Sequence, residues 1–189
     1  MFVVAADVGQ AMDPTAIAAL EATDSEDRVR HLERIALGTK YPAVIRRIGE
    51  VVAAAPGAAL VIDATGVGRA TVDHLEDAGL SPIAVTITGG RETHFEDGIW
   101  LVPKGELIRP LALALEGRRL RVARGITDAA ALLRELRTFV GIINRRGHAR
   151  FEGKGAHDDL VIAVALAVWW RSQADSRRIG YNKHLAATE

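Results

Sequence analysis

Asp7, Asp63 and the adjacent pair Asp158–Asp159 are the residues of this sequence whose type and spacing could do chemistry. Asp7 closes the apolar run that starts at Phe2, and Asp63 closes a second run, Ala58 to Asp63 (AALVID). An acid that ends a buried strand sits where open α/β sheets collect ligands, outside the carboxyl ends of the strands. Asp158 and Asp159 begin an apolar helix whose start can close such a crevice. Carboxylates gathered without basic neighbours repel one another, and keeping them ionised costs on the order of several kcal/mol unless a cation lies between them. Oxygen donors with open positions suit Mg²⁺ or Mn²⁺. Two such ions about 4 Å apart would activate a water, brace a scissile phosphate and stabilise the leaving oxygen. Asp7, the most central acid, is the natural bridging ligand.

Each acid also has a plain structural reading. Asp7 before Val8-Gly9 could start a turn, and so could Asp63 before Ala64-Thr65-Gly66. Asp158 could serve as a helix N-cap and nothing more. A second adjacent Asp is harder to explain in that way, because only one residue can cap. The constellation, rather than any one member, carries the metal reading.

The elements that must position these acids follow from apolar periodicity. Phe2 to Asp7 reads as a buried strand and Gly9 to Pro14 as a turn. Thr15 to Ala22 fits a strand or a short helix, and Arg28 to Leu37 a further strand. The intervening segments are too short for crossover helices, so these form an antiparallel meander of three strands. Pro42 to Ala55 carries a helical stripe at Val44, Ile45, Ile48, Val51 and Val52. The strand ending at Asp63, a helix from Ala70 to Ala78 closed by Gly79, and a strand from Pro82 to Thr88 make a parallel βαβ unit. Gly89 to Trp100 reads as an exposed polar loop, Lys104 to Glu116 as a helix and Leu120 to Ala123 as a short strand. A helix capped by Thr127 or Asp128 runs to about Thr138, and Phe139 to Phe151 reads as a β-hairpin around Asn-Arg-Arg-Gly. The last helix spans Asp158 to about Gln173. The order predicts one α/β domain over residues 1–174: a mixed five-stranded sheet, three antiparallel strands then parallel strands, flanked by helices. Residues 175–189 read as a polar, flexible tail.

Composition sets the limits. The chain has 189 residues, enough for one domain with a proper core, and 49 % hydrophobic with 25 % charged residues marks a folded protein rather than a disordered one. The absence of cysteine excludes disulfides, thiolate metal sites and cysteine nucleophiles. The first seven residues lack the basic region of a signal peptide, and the apolar stretch Leu160 to Trp170 is about half of a membrane span, so no membrane partner is expected. Formal net charge is zero, so any contact with nucleic acid must rest on local patches.

Several cationic and polar residues are candidates for such contacts. Arg145, Arg146, His148, Arg150 and Lys154 place positive charge beside the acidic helix start and could grip phosphates, although a solvated turn explains them equally well. Lys104 follows a loop that could face the cleft. His157 could orient a ligand or a water, and Asp13 could act behind the first turn, where Asp-Pro is also an ordinary turn dipeptide. A second basic run, Arg118, Arg119, Arg121 and Arg124, fits a surface edge. Trp169 and Trp170 read as packing residues.

Four segments, VVAADVGQAMDPTAIAAL, LVIDATGVG, ITGG and GAHDDLVIAVALAVWW, resemble in order and spacing the successive nuclease motifs of terminase large subunits. The resemblance runs from about Phe2 to Trp170. It implies an RNase H-like fold with an added β-hairpin before the last helix. It also implies a two-metal endonuclease that cuts double-stranded DNA during viral genome packaging in the host-cell cytoplasm, for a phage or a prophage. The metal-binding acids of the family then fall on Asp7, Asp63 and one of Asp158 and Asp159, with Asp158 favoured as the closer ligand. The implied partners are double-stranded DNA, an ATPase motor, a small terminase subunit and a portal. The GxxxxGK[ST] loop of the motor does not occur here, and Gly66-Val67-Gly68-Arg69 is too short and lacks the lysine, so the chain is expected to be an excised domain or half of a split protein.

Three other readings compete. A resolvase-like nuclease would share the strand-end acids and cut branched DNA. An actin-like nucleotide-binding domain would need a second lobe and more residues. A non-catalytic RNase H-like domain would tolerate loss of one of the acids, all of which are present.

Overall fold

The computed structural model describes residues 1–9, 13–66, 68–146 and 158–186, with side chains described up to Phe139 and again from Asp158 to Ala174. Alternation along one strand organises the molecule. Strand β1 (Phe2–Asp7) buries Val3, Val4, Ala5 and Ala6 completely. Successive strand side chains point to opposite faces, so Val3 and Ala5 join one apolar cluster while Val4 and Ala6 join another. A strand covered on both sides belongs at the centre of a sheet.

On one side β1 pairs antiparallel with β2 (Thr15–Ala22), which pairs antiparallel with β3 (Asp27–Ile35). On the other side β1 pairs parallel with β4 (Ala59–Asp63), which pairs parallel with β5 (Pro82–Thr88). These five strands form the mixed sheet expected from the sequence. Three short strands widen it to eight, in the order β6-β7-β5-β4-β1-β2-β3-β8. Strands β6 (His94–Glu96) and β7 (Ile99–Pro103) extend the β5 edge, and β8 (Leu120–Val122) lies parallel to β3.

Helices cover both faces. Helices α1 (Tyr41–Ala53) and α2 (Gly68–Asp77) pack Val44, Ile48, Val51, Val72 and Leu75 against the Val4 and Ala6 face. Helices α3 (Lys104–Glu116), α4 (Ala129–Arg146) and α5 (Asp159–Ala186) cover the Val3 and Ala5 face. From Leu160 to Trp169 no residue of α5 is more than 4 % exposed. A helix apolar on every side has to be buried on every side, and each large side chain so buried contributes about 1.5–3 kcal/mol. Among the described residues no helix is long and apolar enough to cross a membrane.

Three segments differ from expectation. The polar stretch Gly89 to Trp100, expected as a loop, contains β6 and a tight turn into β7. Asp97 and Gly98 there have φ of 49° and 79°, the two positive values a two-residue hairpin needs. The β-hairpin expected from Phe139 is corrected: α4 stays helical to Arg146. Its buried residues Leu132, Leu136 and Phe139 keep helical spacing past Thr138, which outweighs the turn-like Asn-Arg-Arg-Gly. The rest of that hairpin, residues 147–157, lies outside the described residues. Finally, α5 does not stop near Gln173 but continues to Ala186, so the backbone of the expected tail is helical over most of its length.

Candidate functional site

The pleat aims both strand-end acids in the same direction. Asp7 shares the face of Val3 and Ala5, and Asp63 shares the face of Val61, all of which pack toward α3, α4 and α5. β1 and β4 pair in parallel up to Ala6 and Ile62, and the two acids are the next residue on each strand. Helix α5 packs across β1 and β2 on this face with its first turn above the strand ends.

Asp7 therefore faces a concentration of negative charge. Burial, then the charges of Asp63, Asp159 and Asp158, push its carboxyl well above the usual carboxylate range, while Lys104 pulls it back. Burial also raises Asp63, opposed by hydrogen bonds from Thr65 and by Lys104. The Thr65 N–H donates to Asp63 Oδ1 at 2.8 Å, and Thr65 Oγ1 accepts from the Ile87 N–H at 2.9 Å, which fixes the acid to β5.

Glycine follows each acid for a steric reason. A Cβ on Gly68 would stand 1.9 Å from the Asp63 carbonyl oxygen, and one on Gly9 would stand 2.0 Å from the Asp13 carbonyl oxygen. The chain folds back on itself directly behind each carboxylate, and only glycine leaves room.

The helix-borne acids are each held by a cation. Lys104 Nζ donates to Asp158 Oδ2 at 3.0 Å and lies 5.5 Å from the centre of the Phe139 ring. Arg34, on β3, donates through Nε to Asp159 Oδ2 at 2.6 Å and through Nη2 to Glu135 of α4. Glu135 Oε2 in turn accepts from the Val161 N–H at 3.2 Å, and the Arg34 N–H donates to Asp128 Oδ2 at 2.8 Å. Burial works against the charge of Arg34, but its bonds to Asp159 and Glu135 outweigh that and hold it firmly protonated. Burial and the neighbouring Asp159 raise Glu135, which Arg34 opposes.

Sequence reasoning missed Arg34 and Glu135. They are 101 residues apart, and neither position carries a local pattern that distinguishes it from a surface charge. Only the approach of β3, α4 and α5 makes them a unit.

Among the described residues, five carboxylates, Asp7, Asp63, Glu135, Asp158 and Asp159, thus face two cations, Arg34 and Lys104. The donors are all carboxylate oxygens, which fits a hard divalent ion better than a soft one. Among the described residues no three acid or imidazole side chains already form a closed cation cage. Asp158 and Asp159 spend one oxygen each on Lys104 and Arg34 instead.

The remaining candidates are placed as follows. Asp13 is exposed in the β1–β2 turn and, with Gly9 and Tyr41, lines a separate cleft. Arg145 and Arg146 end α4, and His148, Arg150, Lys154 and His157 lie outside the described residues. In the second basic run Arg119 pairs with buried Asp27 at 3.2 Å and Arg121 with Glu26 at 3.1 Å, so half of that run is neutralised within the fold. Trp169 and Trp170 pack edge-on against Trp100, as packing residues would.

No protein-family model matches the sequence, and no curated protein does. Solved structures do. The large terminase nuclease of thermophilic phage G20c with bound cobalt aligns over 89 % of this chain and 80 % of its own, at 24 % identity and a TM-score of 0.66. The P22 large terminase nuclease domain aligns over 90 % and 81 %, at 20 % identity and a TM-score of 0.58. The large terminase of another thermophilic bacteriophage, in complex with ATP-gamma-S, aligns over 88 % of this chain but 39 % of its own, at 12 % identity and a TM-score of 0.63. The chain has the fold of the large terminase nuclease domains.

Proposed function

We propose that this chain is the nuclease domain of a terminase large subunit, a metal-dependent endonuclease that cuts double-stranded DNA during viral genome packaging. The observation that carries this reading is the convergence of Asp7, Asp63, Asp158 and Asp159 on one face of the sheet, where burial and mutual repulsion leave Asp7 poorly compensated. A divalent ion is the compensation such a site lacks.

Mg²⁺ or Mn²⁺, two ions by the chemistry of phosphodiester hydrolysis, would supply a Lewis acid and an acidified water. Asp7 and Asp63 would hold them from the sheet, and Asp158 and Asp159 from the helix. Lys104 is partly exposed, and its ammonium is free to pair with a DNA phosphate once a metal takes over the charge of Asp158. The terminase nuclease of phage G20c has been solved with cobalt and with zinc, which supports a divalent site in this fold. The large terminase solved with ATP-gamma-S is more than twice as long as the part this chain matches, so we place the ATPase motor outside this chain. The motor, a small terminase subunit and a portal are then its partners in the host-cell cytoplasm, during infection by a phage or induction of a prophage.

The test is plasmid cleavage by the wild type and by Asp63→Asn in Mg²⁺, in Mn²⁺ and in excess EDTA. Cutting that needs metal and is lost in the variant is the expected result. Cutting in EDTA, or undiminished cutting by a folded Asp63→Asn protein, would overturn the reading.

A further inference from the structure

We propose that Arg34 and Glu135 are positioning residues that act as one near-neutral unit: Arg34 aims Asp159 at the divalent cation, and Glu135 cancels the charge with which Arg34 would otherwise repel it. This rests on the metal centre proposed above and deepens it.

The geometry is specific. Arg34 reaches Asp159 through Nε and Glu135 through Nη2, which spreads one planar guanidinium over two carboxylates. Its bond goes to Asp159 Oδ2, so Oδ1 remains for another partner. Glu135 and Asp159 are 7 % and 6 % exposed, so water screens neither charge well. Glu135 is itself fixed by the Val161 N–H, in the first turn of the helix that carries Asp159. Arg34 is anchored a second time where its own N–H donates to Asp128. Three elements, β3, α4 and α5, therefore set the rotamer of one acid.

A purely structural ion pair would not need this arrangement. Arg34 next to Asp159 alone would neutralise that acid and place a fixed positive charge beside the cation. With Glu135 present, Asp159 keeps more of its negative charge for the metal, while its direction stays fixed. Partners behind metal ligands typically change affinity or activity about 10- to 100-fold when removed.

The experiment is calorimetric titration of Mn²⁺ into the full chain, with folding checked by circular dichroism, for the wild type, Glu135→Gln, Arg34→Met and the double variant. Glu135→Gln is expected to bind Mn²⁺ about tenfold more weakly, because Arg34 is then uncompensated. The double variant is expected to bind Mn²⁺ better than Glu135→Gln but more weakly than the wild type, since the repelling charge has gone and so has the bond that aims Asp159. Wild-type affinity in Glu135→Gln, or a double variant no better than Glu135→Gln, would overturn the proposal. If Glu135→Gln does not fold, Arg34→Lys carries the test. It keeps the charge and loses the fork, so Mn²⁺ binding should hold within about twofold while cleavage at saturating Mn²⁺ falls about tenfold. An unchanged cleavage rate would then refute the positioning role. A wild type that binds no Mn²⁺ removes the metal centre and this proposal together, whereas a binding wild type with silent variants removes only this proposal.

Discussion

Lys104 and Asp158, 54 residues apart, tie the start of one helix to the start of another: Lys104 opens α3, Asp158 immediately precedes α5, and the Nζ–Oδ2 distance is 3.0 Å. A lysine in a first helical turn opposes the helix dipole, which favours acids there. Its place is explained by the carboxylates it faces rather than by the helix it belongs to.

If the proposed metal centre forms here, Lys104 would compete with the divalent ion for Asp158. Lys104→Met should lower the Mn²⁺ concentration that half-saturates binding by roughly fivefold, the effect of removing one cation at contact distance in a partly wet site. Calorimetry on the metal-free protein reads this directly. An unchanged or weaker affinity would show that the ammonium supports the site instead.

Asp7 should cost the metal-free protein stability. Its folded carboxyl is raised above the unfolded value, so the folded state holds the proton longer. Stability is then unaffected at pH values below the unfolded pKa and falls as pH climbs above it. Asp7→Asn abolishes that loss and, on our reading, also abolishes cleavage. Without metal, its Tm should exceed the wild type at pH 7, with the gap closing toward pH 4. Thermal melts at both pH values decide it. A lower Tm for the variant throughout would contradict the desolvated, repelled carboxyl.

Gly68→Ala should damage the site from behind. The added methyl would meet the Asp63 carbonyl oxygen at 1.9 Å, a backbone atom that cannot swing aside. Either the turn opens or Asp63 moves, so cleavage should drop at least tenfold, since a displacement of about 1 Å near the chemistry can cost more than that. The variant should still fold, because α2 begins at this residue and its buried Val72 and Leu75 are untouched. Full activity in Gly68→Ala would mean the close approach has no bearing on Asp63.

Much of this arrangement was legible in the sequence, and the reasons differ by element. The acids ending β1 and β4 could be read because each closes a short apolar run, and the pleat alone then dictates a shared face. The β6–β7 hairpin was missed although Asp97-Gly98 is a recognised two-residue turn; all three β6 side chains are exposed, so no apolar alternation marked the strand. The opposite error occurred at Phe139. Asn-Arg-Arg-Gly looked like a turn, yet Leu132, Leu136 and Phe139 already set a helical stripe, and the core contact overrode local preference. Arg34 and Glu135 had no sequence signal, because what they do depends on three elements meeting.

The core beneath α5 should respond strongly to a cavity. Leu166 is completely buried in the cluster that also contains Val3, Ala5 and Leu111. Leu166→Ala should cost about 2–5 kcal/mol, measurable by urea unfolding. A loss below about 1 kcal/mol would mean that the sheet face collapses onto the helix without a void.

The sealed stretch of α5 also sets which parts of the molecule can breathe. The residues from Leu160 to Trp169 are sealed in the core, so their amides should be among the last to exchange their hydrogens, whereas β6, three exposed residues on the sheet edge, should exchange early. Asp159 is attached to the slow end of that scale, and the fast end is the sheet edge at β6. The floor of the crevice should therefore keep its shape while that edge opens and closes.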